Sequence, residues 1–168
     1  MRFVDLPRDE FAGGELRYIF DSTSCYRAEI TQKERDFTVS LTCHAAPRRH
    51  FDYITRIYDP RLTDARVFTL VDNDGERVGF AEVASENDGR RRLLTNLLVE
   101  DGYRRRGYGT LLLSRARTQA RGAGAEELRV FVSAVNAGAV RFFLTQGFAL
   151  SGFSSLGEEL ALELSVRP

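Results

Sequence analysis

A glycine-rich loop that carries three arginines is the stretch whose residue types most clearly suggest chemistry. It reads Arg104-Arg105-Arg106-Gly107-Tyr108-Gly109-Thr110 and lies between an apolar run that ends at Val99 and another that begins at Leu111. Glycine lets the backbone approach a ligand closely, and the first turn of a helix offers free N–H groups with a partial positive charge. A strand, this loop and a helix in that order therefore predict a site for a phosphorylated ligand. The spacing matches neither the Walker loop nor the GxGxxG dinucleotide fingerprint.

The elements that must position the loop are predicted from hydrophobic periodicity. Three apolar runs in series predict an antiparallel meander directly before the loop. A helix from Leu111 to Gly122 follows, then a short strand, a second helix capped by Asn136 and a last pair of strands. The predicted strands of this part are Val67–Val71, Val78–Val83, Arg92–Val99, Leu128–Val132, Phe148–Leu156 and Leu160–Val166.

The N-terminal part is predicted as an entry segment, a first strand, a hairpin and a short helix. Residues 1–14 form the entry segment, and the strands are Glu15–Phe20, Tyr26–Gln32 and Phe37–Cys43. Apolar residues within Phe51–Tyr58 have the spacing of a short amphipathic helix. The tyrosines of this part are expected to be core or rim aromatics. No repeat or linker interrupts the pattern, which predicts one α+β domain over residues 1–168.

Composition bounds the classes of function. Twenty-four basic side chains balance 24 acidic ones, so the net charge is zero and the field typical of nucleic-acid binders is absent. Cys25 and Cys43 lie far apart without a Cys/His cluster, which predicts no metal site and free thiols in a reducing compartment. No run approaches the roughly 20 apolar residues of a membrane span, and the N-terminus has no secretory pattern. We therefore expect a cytoplasmic protein that binds neither membrane nor nucleic acid.

Two motifs about thirty residues apart carry a family resemblance. The loop Arg104-Arg105-Arg106-Gly107-Tyr108-Gly109 matches the Arg/Gln-x-x-Gly-x-Gly/Ala motif. Asn136-Ala-Gly-Ala139-Val140, followed by Phe143 and Gly147-Phe148, matches a second motif of the same family. The chain therefore resembles the GNAT superfamily of acetyl-CoA-dependent N-acyltransferases over roughly residues 65–150. Residues 1–64 would then form the variable acceptor side, where some of Tyr18, Tyr26, Tyr53 and Tyr58 could line the acceptor pocket. Residues 151–168 would form the C-terminal strands.

This resemblance implies a fold and a donor substrate. The GNAT fold is α+β, with a mixed, mostly antiparallel central sheet that splays between its fourth and fifth strands and is flanked by helices. The family uses acetyl-CoA, whose pantetheine arm would pair with the fourth strand and whose pyrophosphate would sit on the loop. The implied cofactor-binding residues are Leu97, Leu98, Val99, Arg104, Arg105, Arg106, Gly107, Tyr108, Gly109, Thr110, Asn136 and Phe143.

The resemblance also implies catalytic positions. The Leu97 N–H would donate to the thioester carbonyl, where negative charge develops as an amine attacks. Asn136 would contact the cofactor or the gap between the splayed strands, or serve as a helix cap, and both roles can hold together. Phe143 stands where many relatives have a tyrosine that protonates the leaving thiolate, so that acid is missing.

The general base is left open among polar residues of the strands. Glu82 lies in an apolar strand, where it is either the base or an outward-facing residue of an alternating strand. Glu100 is expected to be a solvated strand end. Asn96 could hold a relay water or face solvent.

The leading hypothesis is an N-acetyltransferase that moves the acetyl group to a primary amine of a small molecule by direct attack in a ternary complex. The N-terminal order and the segment TNLLVEDGYRRRGYGT resemble streptothricin-type acetyltransferases, while FVSAVN departs from the Glu-Thr-Gln that those relatives tend to carry. The alternatives are a peptide or protein N-acetyltransferase, an acyl-CoA-binding module without transfer activity, and a nucleic-acid binder that uses Arg104–Arg106 and Arg90–Arg92. Edge strands of the last pair could support a homodimer.

Overall fold

The computed structural model describes residues 1–86, 89–156 and 159–168. These residues fall into two units. The first comprises Met1–Tyr18, Tyr53–Val130 and Ser165–Pro168, and the second comprises Ile19–Asp52 and Phe131–Leu164. The strands are β1 (Arg2–Leu6), β2 (Glu15–Lys33), β3 (Asp36–Arg56), β4 (Thr63–Val71), β5 (Arg77–Ser85), β6 (Arg91–Val99), β7 (Glu127–Ser133), β8 (Ala149–Leu156) and β9 (Glu159–Val166). The helices are α1 (Arg8–Phe11), α2 (Tyr108–Gly122) and α3 (Ala137–Thr145), and a short 3-10 helix spans Asp101–Tyr103.

The first unit is built on a sheet whose strands follow the order β1-β4-β5-β6-β7. Strand β4 is antiparallel to β1 and β5, and β5 is antiparallel to β6, which confirms the predicted meander. Strand β7 runs parallel to β6, with a register from Arg91–Glu127 to Leu93–Arg129. The sheet is therefore mixed and mostly antiparallel, as predicted.

Both faces of the central strands are buried. On one face, Gly79 lets α2 approach, because a Cβ there would stand 2.3 Å from the Leu98 carbonyl oxygen and 3.0 Å from Leu112 Cδ1. On the other face, an apolar cluster is formed by Leu6, Leu16, Ile57, Tyr58, Val67, Phe80 and Leu98. Burial on both faces explains why β5 reads as a continuous apolar run rather than an alternating one.

The second unit contains most of the β2–β3 hairpin, the end of β7, helix α3 and the strands β8 and β9. Strand β9 lies between β7 and β8. The Ala134 carbonyl accepts the Tyr26 N–H at 2.8 Å, and the Ala134 N–H donates to the Leu160 carbonyl at 2.9 Å. Residue 134 therefore ties the hairpin to the C-terminal strands within this unit.

Three predictions for the N-terminal part were wrong. The two strands predicted over Glu15–Phe20 and Tyr26–Gln32 are one continuous strand, β2. Residues Phe51–Arg56 belong to β3 rather than to a helix, and the entry segment contains the strand β1. The Phe51 ring stacks on Phe20 with centroids 4.7 Å apart, a cross-strand aromatic pair that stabilises a hairpin. Pro47 does not end the strand, because β3 lies in a two-stranded sheet where one row of N–H groups needs no ladder partner.

Candidate active site

The predicted anion loop has a backbone that few residues other than glycine adopt. Gly107 has φ of 84° and caps α2, while Arg105 has φ of 61°. The Gly107 carbonyl accepts the N–H groups of Thr110 and Leu111 at 3.0 and 3.2 Å. Within residues 1–86, 89–156 and 159–168, the N–H groups of residues 105–109 form no backbone hydrogen bond. Consecutive donors at a helix N-terminus are the arrangement that binds phosphate.

Arg104 holds the loop to the end of β6. Its Nε donates to the Val99 carbonyl at 2.9 Å, and its Nη1 lies 2.7 Å from Asp101 Oδ1. The charge of Arg104 is therefore partly neutralised by a neighbour three residues earlier. This contact gives the motif arginine a structural role.

Tyr103 fixes the same loop to the β4–β5 turn. Its hydroxyl donates to Asp72 Oδ2 at 2.8 Å, and its ring meets the Tyr108 ring edge-on with centroids 6.0 Å apart. The Tyr103 hydrogen bond is the largest cause that holds the pKa of Asp72 below its ordinary value. The loop is thus anchored on both sides.

Glu82 lies at the centre of a buried polar network in the first unit. Its side chain is 0% exposed, and its carboxylate accepts three hydrogen bonds. Oε1 accepts the Tyr58 N–H at 2.6 Å, and Oε2 accepts from Thr95 Oγ1 and Asn96 Nδ2 at 2.7 Å each. A buried carboxylate is costly unless such donors replace water. The interpretation of Glu82 as an outward-facing strand residue was wrong, because β5 is covered on both faces.

Tyr58 presents its N–H to Glu82 from an unusual backbone conformation. Its φ is 57°, in the left-handed region that costs a non-glycine residue roughly 1 kcal/mol or more. The Tyr58 hydroxyl donates to the Leu6 carbonyl, which fixes the ring within the apolar cluster. Buried hydrogen bonds hold both the N–H and the hydroxyl of Tyr58. Its strained conformation therefore indicates that the surrounding site determines its position.

Asn96 extends the network from Glu82 to two hydroxyls. Its Oδ1 accepts from Thr55 Oγ1 at 2.8 Å and from the Tyr18 hydroxyl at 3.1 Å. Asn96 is 6% exposed, so of its two alternatives the one in which it faces solvent was wrong.

The Tyr18 hydroxyl lies beside the backbone position implied as the oxyanion donor. The Leu97 N–H donates to the Tyr18 oxygen, and burial is the main cause that raises the pKa of this phenol. The Tyr18 ring stacks on Tyr53 with centroids 5.3 Å apart and planes 4° apart. The Leu97 N–H is therefore directed away from β5 and is met by a neutral hydroxyl.

A bulge in β6 accompanies this geometry. Glu82 pairs with Asn96 and Val83 pairs with Leu94, so Thr95 is an extra residue on β6. A bulge re-aims the residues around it and often lies next to a functional site. Here it lets Thr95 and Asn96 both reach Glu82, and it lies two residues before Leu97.

The remaining implied residues have structural contacts in the second unit. Asn136 Oδ1 accepts the Ala139 N–H at 3.1 Å, so Asn136 caps α3. Phe143 is 4% exposed, and its ring packs edge-on against Phe142 and Phe148 with centroids 5.2 and 5.1 Å away. The cofactor contacts implied for Asn136 and Phe143 stay predictions, as do those of Leu97–Val99 and Arg104–Thr110.

Sequence reasoning missed four residues of the network, of which Thr95 donates to Glu82 from 13 positions along the chain. Tyr18 and Tyr58 carried the expectation of core or rim aromatics, and Thr55 lay in the wrongly predicted helix. Their contacts with Asn96 and Glu82 join residues 24 to 78 positions apart in the chain. The signal that could have found them is Glu82 itself, because a carboxylate in an apolar strand demands donors from elsewhere.

Among the described residues, the structure places no group of three or more His, Cys, Asp or Glu side chains where they could hold a metal ion. None of the helices formed by these residues has the length and apolarity needed to cross a membrane. Cys25 and Cys43 are both free thiols.

Comparison with known proteins places the chain in a family. The model of the acetyltransferase (GNAT) family matches residues 27–148. Streptothricin acetyltransferase from Streptomyces lavendulae is 36% identical over 92 residues, which are 55% of this chain and 49% of that protein. The match thus spans about half the length of this curated relative.

Two solved structures match nearly the whole chain. That of nourseothricin acetyltransferase is 25% identical, covers 99% of this chain and 97% of its own, and has a TM-score of 0.72. That of a candidate streptothricin acetyltransferase from Bacillus anthracis, in complex with acetyl coenzyme A, is 15% identical with a TM-score of 0.74. It covers 99% of this chain and 98% of its own, and it supports the fold alone.

These matches confirm the α+β fold class, the resemblance to the superfamily and the weaker resemblance to streptothricin-type enzymes. The loop at Gly107 and the cap at Asn136 are where the family motifs predicted them. The chain belongs to the GNAT acetyltransferase family.

Proposed function

We propose that this protein is an N-acetyltransferase that moves the acetyl group of acetyl-CoA to a primary amine of a small molecule. Family membership supports the enzyme class and the donor substrate. One observation carries the acceptor class. The likeness to nourseothricin acetyltransferase covers 99% of this chain, including the N-terminal residues that were predicted to form the acceptor side. The 36% identity to streptothricin acetyltransferase supports the same class.

The donor would bind through backbone groups of the loop and of β6. The N–H groups of residues 105–109 suit the pyrophosphate. The Thr110 N–H is left out of this set because it already donates to the Gly107 carbonyl. The pantetheine arm would pair with Leu97 and Val99, beyond the Leu93–Arg129 pair at which the β6–β7 register ends. Arg104 contributes through its anchoring contact with Val99 rather than through free charge.

The reaction would proceed by direct attack of the amine on the thioester carbonyl. A C–N bond forms, the C–S bond breaks, and CoA leaves with the electron pair as a thiolate that takes a proton from water. The amine loses its proton to solvent. Leu97 N–H donates to the carbonyl oxygen as charge develops there. A thiol with a pKa of roughly 8.5 is a fair leaving group, so the tyrosine missing at Phe143 is not essential.

The contacts of Glu82 favour a positioning role. Its two oxygens already accept three short hydrogen bonds, and its side chain is fully buried. A general base needs an oxygen within reach of the amine proton. Glu82 would thus act through Asn96, while the prediction that it is the base stays open to the pH experiment below.

The basic residues give little support to a nucleic-acid binder. Arg92 is 8% exposed and lies 2.7 Å from Asp64 Oδ2, and Arg104 is paired with Asp101. Binding driven by phosphate needs many available cations. A homodimer and a cytoplasmic location stay predictions.

An amine panel tests this function. The protein is mixed with acetyl-CoA and with nourseothricin, spermidine or a peptide with a free N-terminus, and released CoA is followed with a thiol reagent. We expect the highest kcat/KM with nourseothricin. Preference for the peptide would replace the small-molecule acceptor with a polypeptide. Binding of acetyl-CoA without turnover of any amine would leave an acyl-CoA-binding module.

A further inference from the structure

We propose that the Tyr18 hydroxyl is a second hydrogen-bond donor to the thioester carbonyl oxygen, acting beside the Leu97 N–H. Tyr18 lies outside both family motifs, and the proposal adds a catalytic residue to the site. The inference rests on the proposed function, because it concerns the same thioester.

The position of Tyr18 follows from the contact it makes with Leu97. The Tyr18 hydroxyl lies 3.1 Å from Oδ1 of Asn96, the residue directly before Leu97 in β6. A hydrogen bond from the Leu97 N–H partly offsets the rise in the pKa of Tyr18, so the hydroxyl lies close to this N–H. A carbonyl oxygen that accepts the same N–H must lie about 2.9 Å from the nitrogen. It therefore takes the place beside the Tyr18 hydroxyl and comes within reach of its proton.

The Tyr18 proton can be redirected without loss elsewhere. In the present structure it is donated to Asn96 Oδ1 at 3.1 Å, while Thr55 Oγ1 donates to the same oxygen at 2.8 Å. When Tyr18 turns its proton to the thioester, Asn96 keeps the shorter bond from Thr55. No buried acceptor is left without a partner, so the cost of unsatisfied polar groups does not arise.

The chemistry of the phenol favours a donor over a proton-transferring acid. Burial raises the pKa of Tyr18 above its ordinary value of 10.0. The thiol of CoA resembles an ordinary thiol with a pKa of about 8.5, so transfer of the proton to the thiolate is uphill. A phenol that stays neutral can instead stabilise the oxyanion throughout the addition step.

The surroundings of Tyr18 hold it in place for this role. Its ring stacks on Tyr53, and its partner Asn96 is fixed in turn by Glu82. Such preorganised donors act without reorganisation at the moment of reaction, and loss of one costs roughly 100-fold in kcat or more. Glu82, Asn96 and Thr55 are positioning residues in this arrangement.

Isotope-edited infrared spectroscopy of bound acetyl-CoA tests the proposal without an acceptor. The probe is acetyl-CoA labelled with ¹³C at the thioester carbonyl, bound to the wild type, to Tyr18→Phe and to Tyr53→Phe. Two donors shift the carbonyl band of the wild type to lower wavenumber than in water. We expect Tyr18→Phe to move the band back. In a separate assay with nourseothricin as acceptor, the same variant should lower kcat roughly 100-fold and change KM for acetyl-CoA less than about threefold.

Tyr53→Phe is the matched control, because it removes the hydroxyl from the other ring of the stack and should leave the band in place. Thr55→Val provides a second variant if Tyr18→Phe does not fold. Without the Thr55 hydroxyl, Asn96 Oδ1 depends on Tyr18 as its donor. The Tyr18 proton then stays on this oxygen instead of turning to the thioester, so the band should again move back.

The outcomes separate the two proposals. An unshifted band in both Tyr18→Phe and Thr55→Val overturns the role of Tyr18. If the wild type binds acetyl-CoA but acetylates no amine, the proposed function is contradicted, while the band still decides whether Tyr18 contacts the carbonyl. A wild type that does not bind acetyl-CoA overturns both.

Discussion

Replacing Glu82 with glutamine puts the buried network to a quantitative test. Glutamine offers one acceptor oxygen and one NH₂ group where the carboxylate offers two acceptor oxygens. In one orientation the NH₂ faces the Tyr58 N–H, and in the other it faces the donors of Thr95 and Asn96. Either choice loses at least one hydrogen bond to a charged group and places donor against donor.

The cost can be worked out from these contacts. A hydrogen bond to a charged group contributes about 1.5–3 kcal/mol, and the relieved desolvation of the carboxylate offsets part of the loss. We therefore expect a net destabilisation of about 2 kcal/mol for Glu82→Gln. For a chain of 168 residues this lowers Tm by about 4–8 °C. An exposed carboxylate gives the comparison, and Glu100→Gln should change the free energy of unfolding by less than about 0.5 kcal/mol.

Differential scanning calorimetry measures the loss of stability, and the pH profile of kcat separates the two roles of Glu82. The acid limb of the profile reports the ionisation of the general base. If Glu82 is that base, its removal abolishes this limb. A positioning residue lowers kcat and leaves the shape of the profile unchanged. The reasoning fails if Glu82→Gln melts within 1 °C of the wild type, since about 2 kcal/mol would then be missing.

Three further predictions concern the loop, its anchor and the cap of α3. Gly107→Val should weaken acetyl-CoA binding more than Arg105→Ala, because φ of 84° strains any side chain while the Arg105 charge is dispensable to a backbone cradle; titration calorimetry compares the two. Tyr103→Phe should raise the pKa of Asp72 toward 3.8, as followed by a ¹³C carboxyl titration. Since the folded-state pKa is lowered, this contact stabilises the fold above the unfolded pKa and is lost as the pH falls through the folded one. Asn136→Ala should lower stability by about 1 kcal/mol through loss of the cap, measured by thermal unfolding.

A control variant or a contradicting result is available for each of these three changes. A larger loss of affinity in Arg105→Ala than in Gly107→Val would show that charge, not backbone, binds the donor. For the anchor, an unmoved Asp72 titration in Tyr103→Phe would refute the hydrogen bond as the main cause. Asn136→Ser keeps a capping oxygen and should restore stability. If it also restores donor binding, the cap accounts for all that Asn136 does, and a persistent binding defect would support the contact with acetyl-CoA.

The elements around the loop were predictable because their signals are local. Turn residues, the glycine at 107 and the cap at Asn136 act within a few positions, and the strands β4, β5 and β6 lie where the apolar runs predicted them. The helix predicted over Phe51–Tyr58 was wrong. Most of these residues lie in β3, which pairs with β2, and local apolar spacing does not show such pairing with a distant strand. Stacking of Phe51 on Phe20 brings together residues that local spacing cannot connect.

The buried network was beyond sequence reasoning for the same cause. One donor to Glu82 is the Tyr58 N–H, and Tyr58 has a left-handed backbone conformation that no sequence motif predicts. Tyr18 and Thr55 both donate to one oxygen of Asn96, although they lie 78 and 41 positions from it in the sequence. Their roles depend on how β6 bulges at Thr95, which only the register of the folded sheet determines.

Mass spectrometry of a reaction between acetyl-CoA and nourseothricin is the decisive test of transfer to a small-molecule amine. We expect a product heavier than nourseothricin by one acetyl group, formed in the same amount as free CoA. Release of CoA without any acetylated product would mean hydrolysis of the thioester, and it would contradict transfer to a small-molecule amine.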